Sequence, residues 1–437
     1  MPRLITRALV ALVLLPLGAA CGPKPRPNVL LLVMDTTRAD RCSFLGSERP
    51  TTPRLAEFAR DAVAFREAWS PSNWTGPAHA SLFTGLEPRH HGFDRASHPF
   101  LGPEVPVIAE RFAAAGYATG CFTNNAVVTG GFGLARGFDK HELTVDLQDT
   151  PYRWAATTHE RAAQWAEASR AKGRPFFLFV NDMEPHQPYE PPPELAAAFV
   201  RGAPGAEEVA DARGATFPKS MAYDLGLAEI SPSRMALLSD LYDAEIASLD
   251  RAIGELLDRF RTAGLLDDTI VVIVSDHGEY FGEHRLMDHA FGLYRAVCRV
   301  PLLVRYPGRF DGGRSTDDVV RLEDVPPTLL ELCGLDPLDG IDGRSLLRDV
   351  GGRVARGSQS VRDWLSERAA AEYPTADVSR LAVGIDSLFD GTFHLLDYSD
   401  GHVELYRPRD DPDEAHDVSA EFPGEVARMR ELLRNGR

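Results

Sequence analysis

The chain has little cysteine, no surplus of positive charge and no long apolar run. Only five cysteines occur in 437 residues. Cys42, Cys121, Cys298 and Cys333 show no C-x-x-C or related spacing. That argues against a thiolate metal centre and favours buried free thiols over a disulfide framework. Asp and Glu outnumber Lys and Arg by 64 to 47, a formal net charge of −17. Such a chain lacks the basic face that neutralises phosphates, which argues against nucleic acid as a partner. A small anionic ligand still fits, because a bound cation can reverse the local field. The apolar stretch from Ala8 to Leu17 falls short of the ~20 residues that a membrane span needs. No internal repeat is visible.

What is present is an ordinary globular composition, 44% hydrophobic and 25% charged, with ample material for a large core. The N-terminus reads as an export signal. Arg3 and Arg7 precede the apolar run, Gly18, Ala19 and Ala20 follow it, and Cys21 stands before a Pro-rich spacer, "GPKPRP". This is similar to a bacterial lipoprotein signal with Cys21 as the lipidated residue, although Gly18 stands where that pattern prefers leucine. Residues 1–21 are then a leader. The mature chain belongs in the periplasm or cell envelope, touching a membrane only through a lipid anchor; plain secretion is the alternative.

Five short apolar runs, at 28–34, 117–123, 175–181, 269–275 and 301–306, read as buried parallel strands. Between them, residues 53–65, 107–116, 158–171 and 234–264 carry apolar residues at helical spacing. Pro77 suits the first position of a short helix that Gly85 stops. The alternation predicts an α/β fold, a mostly parallel sheet between helices. The stretch 201–220 is small and polar and reads as an insertion or mobile loop. From about residue 355 the pattern alternates with period two around DG turns, which predicts a smaller C-terminal α+β subdomain, 355–437, after a main domain at 22–354.

Ligands of open α/β sheets sit beyond the carboxyl ends of the strands. The first strand ends at Asp35, the fourth at Asp276 and His277, and the third leads to His186. Asp35, Asp276, His277 and the Thr75 hydroxyl (two carboxylates, one imidazole and one hydroxyl) make an oxygen-rich set for one divalent cation. Ca²⁺, Mg²⁺ or Mn²⁺ suits it, and the histidine admits Zn²⁺. A cation there would lower the pKa of the Thr75 hydroxyl and aim it as a nucleophile. His79, one turn on, either binds an oxyanion or packs. His186 and His289 are candidates for holding a tetrahedral anion and protonating a leaving group. His90 and His91 read as loop-packing residues, and Arg38 and Asp40 as supports of the first turn.

These segments resemble the sulfatases of the alkaline phosphatase superfamily. "NVLLLVMDTTRADRCSFLG" resembles the family's first metal motif. "SLFTGLEPRHHG" resembles the helix after its nucleophile. "YDAEIASLDRAIGELLDRFRTAGLLDDTIVVIVSDHGE" resembles the long helix and the second metal motif. The resemblance implies an alkaline-phosphatase-like sheet sandwiched by helices. It implies Asp35, Asp276 and His277 as metal ligands, His186 and His289 as substrate-binding residues, and Thr75 as the nucleophile.

The pattern also departs. The family's C/S-x-P-S-R motif, whose Cys or Ser becomes formylglycine, is here Thr75-Gly76-Pro77-Ala78-His79. Thr36 replaces a frequent second carboxylate. Asn124 or Asn125 stands near a missing Gly-Lys-Trp-His segment, Asn125 as a substrate contact. Threonine has no route to the aldehyde, and a threonine ester must be cleaved at the transferred group. That favours phosphate or phosphonate esters, with sulfate esters still accommodated. The expected protein is a metal-dependent hydrolase of small anionic esters. The alternatives are a phosphoethanolamine- or phosphoglycerol-type transferase, or a catalytically silent binding module.

Overall fold

The structure is a computed structural model. It describes residues 26–93, 99–144, 155–217, 219–310, 312–348, 351–361 and 363–435; the leader and Cys21 lie outside them. The strands, in chain order, are β1 (Asn28–Met34), β2 (Val63–Trp69), β3 (Ala118–Thr123), β4 (Lys140–Leu143), β5 (Phe176–Asp182) and β6 (Thr269–Val274). A two-stranded ribbon of β7 (Tyr280–Phe281) and β8 (Met287–Asp288) follows, then β9 (Arg299–Arg305) and β10 (Arg314–Arg321). The C-terminal strands are β11 (Ala355–Gln359), β12 (Ile385–Phe389), β13 (His394–Tyr398) and β14 (Val403–Tyr406).

Eight strands form the main sheet, in the order β10-β2-β9-β6-β1-β5-β3-β4. All seven residues of β1 are buried, as expected of a central strand covered on both faces. Its side chains alternate between two cores. Val29, Leu31 and Val33 join one, with Ala78, Leu82 and Phe83 of the helix Thr75–Thr84. Leu30, Leu32 and Met34 join the other, with Leu249, Ile253 and Phe260 of the helix Pro232–Thr262. The four remaining cysteines are free and buried.

Four sequence expectations need correction. The run at 301–306 belongs to β9, which pairs antiparallel with both β2 and β6; a continuous apolar run reports burial on two faces, not direction. The helix expected through residue 65 stops at Phe58, and Val63–Trp69 is β2, because sheet pairing outweighs a helical spacing only two turns long. The stretch 201–220 holds the helix Ala206–Arg213. The Thr75 helix starts two residues before Pro77; proline is tolerated there because the first N–H groups of a helix have no internal acceptor.

A second, antiparallel sheet, β11-β12-β13-β14, packs on the first. Trp69, 2% exposed, stacks on Phe389 with centroids 4.4 Å apart and meets the His394 ring edge-on. Trp69→Ala is expected to cost about 3–5 kcal/mol of stability, read as a lower midpoint of denaturant unfolding; an unchanged midpoint would show that this contact does not join the sheets.

Among the paired strands of the main sheet, only β9 runs against the rest. The carboxyl ends of β1, β2, β3, β5, β6 and β10 therefore share one edge.

Candidate active site at the carboxyl edge of the sheet

Asp35 follows β1, and its backbone N–H extends the pairing to Asp182 O at 2.9 Å. Asp276 and His277 follow β6. Ser275 ties the two turns together: its Oγ donates to His277 O at 2.7 Å and accepts from Thr37 N at 2.9 Å. Asp35, Asp276 and His277 are fully buried. Each offers one ligand atom, and these atoms all lie within 4.8 Å of one another.

Their hydrogen bonds leave one face open. Asp276 Oδ1 accepts from the N–H groups of Thr36 and His277, whereas its buried Oδ2 has no hydrogen-bond donor. Asp35 Oδ2 accepts from Asn125 Nδ2 at 2.7 Å, and its buried Oδ1 has none. His277 Nδ1 faces Gly278 O at 3.0 Å. A carbonyl can only accept, so this nitrogen carries the proton and Nε2 offers its lone pair. That Nε2 stands 3.4 Å from Asp276 Oδ2. Acceptors facing one another in a buried space call for a cation between them. Burial first, then the Asp276 charge, raises the Asp35 pKa, and burial pushes Asp276 up to about 7. This donor set fits the divalent cation that the sequence leads one to expect.

Thr36 adopts φ 55°, a conformation that is strained for a β-branched residue. Its N–H is held by Asp276 Oδ1 and its carbonyl by the Tyr242 hydroxyl at 2.7 Å. Arg38 bonds Asp40 through two nitrogens and also pairs with Glu283, which fastens the rest of this turn.

The Thr75 helix enters from the end of β2. Thr75 is its first residue and is 4% exposed. A Cβ on Gly76 would come within 2.4 Å of the Phe93 ring, so only glycine fits between Thr75 and Pro77. His79 is fully buried, edge-on to Phe83 and Phe179. Its Nδ1 donates to Thr75 O at 3.0 Å and lies 3.5 Å from Asp276 Oδ2. One imidazole therefore links the first turn of this helix to the aspartate. Burial holds the His79 pKa down, to about 4, so the ring is neutral at pH 7.

His186 and His289 meet on the open side. Their Nε2 atoms are 3.3 Å apart, and the His289 ring centroid is 4.4 Å from that of His277. His186 Nδ1 faces Gln187 O at 2.7 Å and His289 Nδ1 faces Asn73 O at 3.2 Å. With both Nδ1 hydrogens given to carbonyls, the two Nε2 atoms are left facing each other beside the carboxylates.

The structure brings Asp35, Asp276, His277, His186 and His289 together, with the Thr75 helix abutting them through His79. Asn125 stands behind Asp35: Nδ2 holds the carboxylate and Oδ1 accepts from Val127 N at 2.8 Å. Asn124 turns away to the Thr158 hydroxyl. Asn125→Ala is expected to weaken metal binding about 10–100-fold, the usual effect of losing a partner that orients a ligand, as measured by metal titration. His91 packs against Ser81, and His90 against Asp342. Two contributors escape sequence reading. Asn181 reaches Asp35 Oδ2 at 3.5 Å. Gln359 of β11 accepts from Asn73 Nδ2 and Gly292 N. Gln359 is 286 residues from Asn73, and no local pattern signals such a contact.

Comparison with known proteins agrees with this geometry. Residues 27–335 match the sulfatase family model, and residues 282–434 match that of the N-sulphoglucosamine sulphohydrolase C-terminal region. An N-acetylglucosamine-6-O-sulfatase of Bacteroides thetaiotaomicron is 24% identical over 97% of this chain and 89% of its own length. The multifunctional alkaline phosphatase superfamily protein PehA of Trinickia caryophylli is 27% identical over 78% of this chain and 79% of its own. Among solved structures, the phosphonate monoester hydrolase of Agrobacterium radiobacter superposes with a TM-score of 0.74 at 22% identity, covering 93% of this chain and 95% of that one. The fold, the strand-end cluster and a family match over most of the length agree: the chain belongs to the sulfatase family of the alkaline phosphatase superfamily.

Proposed function

We propose that this family member, an ester hydrolase of the sulfuric and phosphoric type, uses Thr75 as its nucleophile and acts on small anionic esters, phosphate and phosphonate esters ahead of sulfates. The observation that carries this reading is the pair of buried, donorless oxygens, Asp35 Oδ1 and Asp276 Oδ2, beside the first turn of the Thr75 helix. Asp35, Asp276, His277 and the Thr75 hydroxyl would hold one divalent cation. When bound, it supplies Lewis acidity, lowering the pKa of the hydroxyl and polarising the ester.

The chain's own residues do the rest. His79 fixes the Thr75 carbonyl and so the first helical turn. Thr75 gives up its hydroxyl proton to solvent as Oγ attacks phosphorus or sulfur, the bond to the leaving oxygen breaks, and the His186–His289 pair, once protonated, binds the anion and gives that oxygen its proton. Water then attacks the same centre and the bond to Thr75 Oγ breaks; one proton of the water restores the hydroxyl and the other returns to the histidine pair. Formylglycine would expel the group by collapsing to an aldehyde; threonine has no such exit, which favours centres that tolerate a second displacement. The relatives' names, sulfatase and phosphonate monoester hydrolase, fall within this range.

Export as a lipoprotein through Cys21 completes the reading. No helix among the described residues is long and apolar enough to cross a membrane. The function is tested by turnover of an aryl phosphate, a phosphonate monoester and an aryl sulfate, with and without chelator. The expected result is cation-dependent release of the alcohol, slowest from the sulfate. Turnover that survives full metal removal would refute it.

A further inference from the structure

A cleft with about 390 Å³ of room opens where β10 ends and β11 begins. Five arginines line it, of which Arg321, Arg344, Arg353 and Arg356 matter most, against the acids Glu87 and Asp342. In a chain of net charge −17 this is an unusual local excess of positive charge. Ion pairs answer part of it. Arg321 and Arg353 meet Glu87 and Asp324 at 2.9 Å each, and Arg356 lies 3.5 Å from the same Glu87. Glu87 also takes Arg89, at 2.6 Å, so one carboxylate serves three guanidinium groups.

Backbone carbonyls take part of the remainder: Arg321 Nη2 donates to Asp342 O at 2.7 Å, Arg353 to Arg344 O and Ser345 O, and Arg356 Nη2 to Leu432 O. Arg321 and Arg353 have side chains only 8% and 7% exposed. Each carries a buried Nε with no acceptor among the described residues, as does Arg356. Arg344 is exposed and makes no ion pair among them. Burial first, then neighbouring guanidinium groups, holds Arg353 and Arg356 below the usual arginine range. Three buried donors without an acceptor thus belong to the arginines that line one cleft.

The cleft opens on the same sheet edge as the catalytic centre, four strand positions away in the order β10-β2-β9-β6-β1. Arg321 ends β10, at the sheet edge that carries Asp35 and Asp276. Arg356 begins a run of β11 that reaches Gln359, whose Oε1 holds Asn73; three strand residues span roughly 10 Å.

We propose that this cleft is a second oxyanion site, distinct from the centre at Thr75, which takes a sulfate, phosphate or carboxylate group. Guanidinium forks match such groups in shape and charge. The ligand is either a free inorganic ion or an anionic substituent of a larger molecule reaching along β11. The two share one recognition chemistry, and binding does not depend on the role given to Thr75.

The test is calorimetric titration of the full chain carrying Asp276→Asn, which disables the catalytic centre, with inorganic sulfate, inorganic phosphate and a sulfated oligosaccharide. Saturable binding is expected to persist. It should weaken about tenfold or more when Arg344→Gln or Arg356→Gln is added, the loss of one charge-assisted hydrogen bond. Arg344 is exposed, so its variant keeps the fold whatever happens at Arg356. Binding of the inorganic ions identifies a free anion as ligand, and binding of the oligosaccharide alone identifies a carried group. No saturable binding of any of the three, or binding that neither arginine variant alters, overturns the proposal. Turnover by the unmodified enzyme is measured separately, so failure here is distinguishable from failure at Thr75.

Discussion

Thr75→Ala is expected to lower turnover about 10³-fold or more while leaving the circular dichroism spectrum unchanged. The size follows from the absence of a substitute. A nucleophile held as part of a unit leaves only residual catalysis when it is deleted. No neighbouring group takes over. His79 is buried behind the helix, with its Nδ1 engaged by Thr75 O. His186 and His289 have their Nδ1 atoms held by backbone carbonyls, and their Nε2 atoms serve the anion and the leaving oxygen rather than the attack. Thr75→Ser keeps a hydroxyl and should retain a measurable part of the rate. The conservative change therefore separates loss of the nucleophile from loss of packing. Full activity in the alanine variant would remove Thr75 from the chemistry.

Asp276→Asn has the second large effect. At pH 8 it is expected to lower metal affinity by about 100-fold or more, because it removes one of two carboxylates from a buried site whose ligands are otherwise neutral. Turnover should fall with it. Asp276 also sets a pH dependence. In the chelated protein burial pushes its carboxyl up to about 7, so an entering cation must displace a proton. Affinity should fall about tenfold per pH unit below 7 and level off above it. Asp276→Asn should flatten that slope, as isothermal titration at several pH values would reveal. An unchanged slope would place the linked proton elsewhere.

The same shift bears on stability. A carboxyl whose folded pKa lies above its unfolded value of about 4 binds more protons in the native state between those two values. Its favourable contribution is complete below about pH 4 and is lost as pH rises to about 7. Glu184 and Glu323, raised by burial to about 7 and about 8, act in the same direction. Chelated protein should melt lower at pH 8 than at pH 5, and added cation should recover the part due to the site.

The legibility of this molecule in its sequence follows burial and sequence distance. β1, β5 and β6 are continuous apolar runs ended by polar residues, so strand and candidate ligand are legible in the same few letters. Asp35, Asp276 and His277 follow directly from those ends. β2 was hidden because Val63–Phe65 continues the helical spacing of residues 53–58, and only pairing with β9 and β10 decides against the helix. The direction of β9 was illegible for a related reason: a strand buried on both faces has no alternation to betray its partners. The bond of Asn125 to the Asp35 carboxylate depends on the turn after β3, which no spacing encodes. Gln359 and the arginine cleft depend on how the second sheet docks on the first, and that information lies in Trp69, Phe389 and their neighbours rather than in any motif.

The central claim is that a threonine hydroxyl, brought to two aspartates by the ends of separate strands, becomes covalently attached to the group it transfers. Intact mass spectrometry after a brief, acid-quenched incubation with a phosphonate monoester tests this most directly. The account predicts one phosphonyl adduct per chain, located by peptide mapping on Thr75 and absent from Thr75→Ala. Rapid turnover with an adduct on another residue, or equal turnover by the alanine variant, would contradict it.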